Sequence, residues 1–173
     1  METYNLISLA DISANVRPCY ADEQLADTCI TEAQNVDLRS QLGDTLWSVL
    51  FTEGQSQRIV RLLDGCEFEQ CGCNTTRLHF GLRRVLCYYA YARIVRSGTN
   101  VQTRFGMVAK TDEYSERTSL KERVAVASDA LATADRYMAD VVEFLRVNAS
   151  DYPEYSAGGR MMANNSRFRM IGK

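Results

Sequence analysis

From Leu120 to Leu145 the residues Leu120, Val124, Ala127, Leu131, Ala134, Met138, Val141 and Leu145 recur at spacings of 4, 3, 4, 3, 4, 3 and 4. That alternation holds one apolar stripe on one side of an α-helix for about seven turns. Ser119 and Glu122 form an S-x-x-E capping box at its start. A stripe this long has to be covered, either as the spine of an antiparallel bundle or as a contact between subunits. The bundle is the preferred reading for most of its length. The alanines in the stripe permit close helix approach.

The rest of the chain reads the same way. Its two prolines, Pro18 and Pro153, lie near the ends, so the long stretch between them has no proline break. Residues 1–19 read as an irregular or weakly extended entry. Asp22 caps a helix with Leu25, Cys29, Ile30 and Ala33 on one face. A second helix carries Leu38, Leu42, Leu46, Val49 and Leu50, with Gly43 inside it as the mark of a kink or a close contact and Gly54 as its stop. A short helix ends at Gly65. Thr75 or Thr76 opens another, with Leu78, Leu82, Val85, Leu86 and Tyr89 inward and Gly98 at its end. Tyr88 and Tyr91 fall partly off that face and read as core or subunit contact rather than as a platform for stacking bases.

Two segments break the helical pattern. Residues 99–118 have no helical period and alternate loosely at Val101, Thr103 and Phe105, as a strand or an extended arm does. A connection of that length in a small domain is usually functional. Residues 156–173 contain Arg160, Arg167, Arg169 and Lys173 and no acid, which gives the tail +4. With a net charge of −2 for the 173 residues, residues 1–155 carry −6. A basic tail on an acidic body is either a solvated appendage or a segment that docks on something negative.

Composition sets outer limits. The length suits one domain with a real core, and 46% hydrophobic and 24% charged residues are ordinary for a globular chain. No apolar run approaches a membrane span. The N-terminus has no basic start followed by an apolar core, so no secretion signal is read, and the six cysteines are expected to be reduced in a cytoplasmic setting.

The stretch GCEFEQCGCNTTRLHFG, residues 65–81, holds Cys66, Cys71, Cys73 and the single histidine, His79. These four side chains are enough for a structural zinc. However, the Cys71-Gly-Cys73 gap is tight and His79 is placed in the first turn of a helix. The preferred reading is a turn or hairpin between helices with small, half-buried thiols. A Cys–His pair drawn from Cys71 or Cys73 with His79 has no identifiable third member. No phosphate-binding glycine motif is present. Arg83, Arg84, Arg93 and Arg96 concentrate positive charge on one helix, but the body is acidic, and surface salt bridges account for them at least as well as nucleic acid does.

Three phrases, TEAQNVDLRSQLGDTLWSVL, LHFGLRRVLCYYAYARIVRSGTNVQTRFGMVAKTDEYSE and YMADVVEFLRVNASDYPEY, together resemble the head–tail connector (adaptor) proteins of tailed phages. The likeness is to the branch found in phages of Bacteroides-type hosts, including crAss-like phages. It spans roughly residues 5–155, and the cysteine stretch is not part of it. The resemblance implies a small helical bundle with a long extended loop and a terminal arm. In such families many copies, commonly twelve, form a ring below the portal that extends the DNA channel and offers a surface to tail proteins, with no catalysis.

The expectation is therefore a mainly α protein, an antiparallel bundle of about four to five helices with a long extended loop and an extended C-terminal tail. Residues 1–155 form the connector domain, with an arm at about 99–118, and residues 156–173 form the basic tail. Arg104, Phe105, Met107 and Tyr114 are candidates for the inter-subunit arm. Arg160, Arg167, Phe168, Arg169 and Lys173 are candidates for docking on the portal or a neighbour. The expected partners are further copies, the portal, tail or other connector proteins, and DNA passing through without sequence-specific contact. No membrane, cofactor, metal or enzymatic activity is expected, and the expected location is the virion neck, or the host cytoplasm during assembly. The competing reading is a small zinc-stabilised helical regulator that binds DNA through Arg83, Arg84 and the tail.

Overall fold

The computed structural model describes residues 4–53, 56–69, 75–97, 100–103, 106–109 and 119–155. The protein is mainly α. In chain order the elements are α1 (Leu9–Asn15), α2 (Glu23–Glu32), a π-helical segment (Ala33–Leu38), α3 (Arg39–Leu42), α4 (Asp44–Thr52), α5 (Gln57–Asp64), the hairpin β1 (Cys66–Glu69) and β2 (Thr76–His79), α6 (Gly81–Ser97), the hairpin β3 (Asn100–Thr103) and β4 (Gly106–Ala109), and α7 (Leu120–Val147).

The capping box at the start of α7 forms as the sequence predicts. Glu122 N–H donates to Ser119 Oγ at 3.2 Å, and Ser119 N–H donates to the Glu122 carboxylate at 2.9 Å. Ala127, Ala134, Met138, Val141 and Leu145 of the predicted stripe are buried, and Leu131 is half-buried. The face that covers them is α6, which runs antiparallel. Its Ala92 meets Ala127 and Ala130, Tyr89 reaches Asp135, and Phe80 lies against Tyr137. Three alanines at the crossing let the two backbones approach closely. The stripe is not covered to its end, because Leu120 is 67% and Val124 45% exposed. Each residue of a helix advances about 1.5 Å. α6 stops at Ser97, five residues past Ala92, and so leaves Leu120 beyond its reach.

The N-terminal region departs from the sequence reading. Residues 9–15 are helical rather than irregular, held by a second capping box between Ser8 and Asp11, with Ile12 wholly buried. The helix from Asp22 forms as predicted, with Asp22 Oδ1 accepting from Gln24 N and Leu25 N. It continues through the π-helical segment into α3. Buried Gln34 in that segment accepts from Leu6 N at 2.9 Å and donates to the Tyr4 carbonyl at 3.0 Å, which ties the entry of the chain to the core. Gly43, at φ +79°, breaks the predicted helix into α3 and α4. Among the described residues six helical runs result, with α2 to α3 counted as one, instead of four to five.

Two further corrections concern the middle of the chain. Residues 76–79 are a strand, so the helix begins at Gly81 rather than at Thr75 or Thr76. Leu78, expected on the inner face of that helix, is 49% exposed, while Leu82, Val85, Leu86 and Tyr89 are buried. The period-free segment contains the β3–β4 hairpin, which pairs Val101 with Val108 and Thr103 with Gly106. Phe105 lies outside the described residues.

The chain closes on the core at Tyr152, which is wholly buried, 5.5 Å from the Phe144 ring, and donates its hydroxyl to the Arg58 carbonyl at 2.7 Å. Arg58 also binds Glu53 and Glu154, so one guanidinium joins α5 to the segment after α7. No helix among the described residues is long and apolar enough to cross a membrane.

The coverage of the stripe makes a direct prediction. Met138→Ala should cost about 2–5 kcal/mol in chemical denaturation, as core truncations do. Leu120→Ala should stay within about 0.5 kcal/mol when measured on the monomer.

Candidate functional site

The cysteine stretch is built on a narrow neck where α5 ends and α6 begins. Gly65 has φ +93° and Gly81 has φ +79°, a conformation that L side chains rarely adopt. The two glycines also leave no room for a methyl group. A Cβ on Gly65 would lie 2.4 Å from the His79 carbonyl oxygen, and one on Gly81 would lie 2.2 Å from the Leu63 carbonyl oxygen. This backbone contact closes the base of the β1–β2 hairpin and sets its register, in which Cys66 faces His79 and Glu69 faces Thr76. The hairpin reading of this stretch holds. His79 is the last residue of a strand and not part of a helix, because the chain must turn through Gly81 before α6 can start.

The register brings Cys66 and His79 together. Cys66 Sγ lies 3.3 Å from His79 Nε2. The imidazole is wholly buried, stacks on Phe144 at 4.2 Å between centroids, and meets Phe68 edge-on at 6.0 Å. Its Nδ1 has no hydrogen-bond partner among the described residues. Burial first, and the nearby Arg61 charge second, push His79 down to about 4. The Arg61 guanidinium lies 5.6 Å from the Phe144 ring. The histidine is therefore neutral at physiological pH. It is a poor general base and serves as a packing element with one polar contact.

Two of the four candidate zinc ligands are thus adjacent, and the other two, Cys71 and Cys73, lie outside the described residues. Among the described residues no group of three His, Cys, Asp or Glu side chains is placed to hold a metal. The remaining described thiols are not activated. Burial raises Cys19 and Cys29 and pushes Cys87 up to about 12.

The arginines of α6 divide. Arg83 pairs with Asp64. Arg93 binds Asp37 through two nitrogens and Glu32 through a third. Those two form intramolecular bridges, which leaves them poorly placed to grip phosphates. Arg84 differs. Its guanidinium lies 4.9 Å from the Phe80 ring and 5.7 Å from the Tyr137 ring, and no carboxylate pairs with it among the described residues. Tyr88 packs beside Tyr137 at 5.5 Å. Sequence reasoning read Arg84 as a surface salt bridge or, in the competing reading, as a DNA contact, and missed this cluster. It also missed Arg61, although the paired glycines flanking the cysteine stretch were a visible signal of a closed neck.

The arm candidates Arg104, Phe105 and Tyr114 lie outside the described residues. Met107 is placed only by its backbone, in β4. The tail candidates Arg160, Arg167, Phe168, Arg169 and Lys173 also lie outside the described residues.

With this geometry in place, comparison with known proteins defines a class. Residues 42–165 match the model of a family of unknown function, DUF6712, and the chain belongs to that family. The matched region runs from the end of α3 through both hairpins and α7. No curated protein and no solved structure matches the chain.

Two outcomes test the site. Gly65→Ala combines a left-handed backbone with a steric clash and should cost about 2–5 kcal/mol. Gly43→Ala, which meets open space, should cost only about 1–3 kcal/mol. For His79, the unfolded chain binds a proton near pH 6.5 and the folded chain only near 4. Its contribution to stability is therefore complete above about 6.5 and is lost as pH falls through that window. Thermal melts from pH 7 to 4 should show this loss in the wild type and a shallower dependence in His79→Phe.

Proposed function

We propose that the protein is a virion structural protein, a head–tail connector that assembles as a ring, commonly of about twelve copies, between portal and tail and extends the DNA channel. The observation that carries this reading is the β3–β4 hairpin. It has four residues per strand, and neither strand has a second ladder partner among the described residues. An isolated two-stranded hairpin is marginal in water. Such an element becomes useful when a neighbour covers it. The uncovered start of α7, with Leu120 and Val124 exposed, follows the same segment and offers an apolar surface for that neighbour. The acidic body and the basic tail add a docking segment for an acidic portal surface. The protein then acts by its surfaces and arms, in the virion neck and before that in the host cytoplasm during assembly, and DNA passes it without sequence-specific contact. The DNA-binding regulator is the weaker reading, since of its two helix arginines Arg83 is engaged by Asp64 within the chain and Arg84 lies against the Phe80 and Tyr137 rings.

Native mass spectrometry of the reduced protein tests the assignment. A ring of about a dozen subunits is expected. Replacing residues 100–109 with a Gly-Ser linker of equal length should dissociate it while leaving the helical circular dichroism intact. A protein that stays monomeric at high concentration and fails to bind portal removes the connector reading.

A further inference from the structure

Two faces of the molecule carry complementary chemistry on opposite sides of α6. Arg84 and Arg93 are nine residues apart on one helix, which at about 100° per residue is half a turn. Arg93 points to Glu32 of α2 and to Asp37, and Arg84 points the other way, to Phe80 and Tyr137 of α7. On the Arg84 side, Phe80 is 40% exposed, and Leu78, two residues earlier in the chain, is 49% exposed. Arg84 Nε is buried without an acceptor among the described residues. Aromatic residues and arginine with an adjacent aliphatic anchor make up the composition found at the centres of protein interfaces. On the opposite side, α2 presents Glu23, Asp27 and Glu32 along a shallow groove and has no basic residue.

We propose that these faces bind each other between copies of the chain, with the Leu78–Phe80–Arg84 patch of one protomer seated on the Glu23–Asp27 face of α2 in the next. The contact joins two different surfaces, so a pair of protomers still has one of each free. It is heterologous, and it propagates head to tail until the rotation closes a ring. The inference deepens the connector reading and rests on it. It assigns the subunit contact to α2 and α6, where the hairpin alone would have left it open. A carboxylate from α2 pairs with the charge of Arg84, for which no carboxylate partner is found among the described residues, and Phe80 and Leu78 supply the apolar burial. Because opposite charges face one another, the contact weakens as salt rises.

The test is a charge exchange read by sedimentation velocity on the full chain. Arg84→Glu and Asp27→Arg should each weaken assembly at least tenfold, because each places like charges opposite one another. Asp27 is exposed, so the second variant keeps the fold even where the first loosens it. An equimolar mixture of the two should reassemble. In one contact the acid introduced at position 84 meets the base introduced at position 27, and in the next the native Arg84 meets the native Asp27. Wild-type assembly should also weaken in about 1 M salt, where the screening length is ~3 Å. If either variant assembles as the wild type does, or if the mixture stays dissociated, this contact is wrong, and the connector reading stands as long as the wild-type ring is present. A wild type that never associates overturns this contact, and the connector reading falls with it when portal binding is absent as well.

Discussion

The close approach of α6 and α7 at Ala92, Ala127 and Ala130 is the contact on which the rest of the structure depends. Three small side chains allow two antiparallel helices to share a continuous buried surface that ends at Phe144 and Leu145. Phe144 in turn supports His79, Phe68 and Tyr152, so the first hairpin and the segment after α7 are both anchored on one ring. The same geometry limits itself, because α6 is shorter than α7. The turns of α7 that α6 cannot cover are the ones that follow the second hairpin in the chain, and they leave Leu120 and Val124 exposed.

The two hairpins share an architecture but differ in support. The first is closed by backbone contact at Gly65 and Gly81 and buries Phe68 and His79 beneath it. Its cysteine and histidine are side chains of a structural neck, with the imidazole kept neutral by burial. The second hairpin lies at the other end of α6, between it and α7, and has no comparable closure among the described residues. A hairpin with its own buried face is part of the fold, and the first hairpin is of that kind.

Much of the helical framework was readable because its signals are local. Asp22 and Ser119 cap their helices by hydrogen bonds spanning two or three residues, and the Leu120–Leu145 spacing is a property of a single helix. The short α1 was missed although Ser8 and Asp11 form the same kind of box, because a seven-residue helix has too little periodicity to be seen. The strand at 76–79 was read as helix because Leu78 falls in register with Leu82, Val85 and Leu86. Only the turn forced at Gly81 breaks that register. The π-helical segment left no signal either. Gln34 looks like a surface residue, and only the arrival of Tyr4 and Leu6 makes it a buried one.

By itself the sequence determined that the chain is helical, where its longest helix starts, and that a turn or hairpin separates α5 from α6. Each of these follows from interactions within a few residues. The tertiary structure decided what depends on relative lengths and positions. It decided which part of the apolar stripe stays exposed, that Cys66 meets His79 at 3.3 Å, and that Arg93 is neutralised while Arg84 is stacked on aromatic rings with no carboxylate partner among the described residues. Those outcomes require two distant segments to meet. Residue spacing along one helix specifies a face, and only the packing of the neighbouring elements specifies what that face touches.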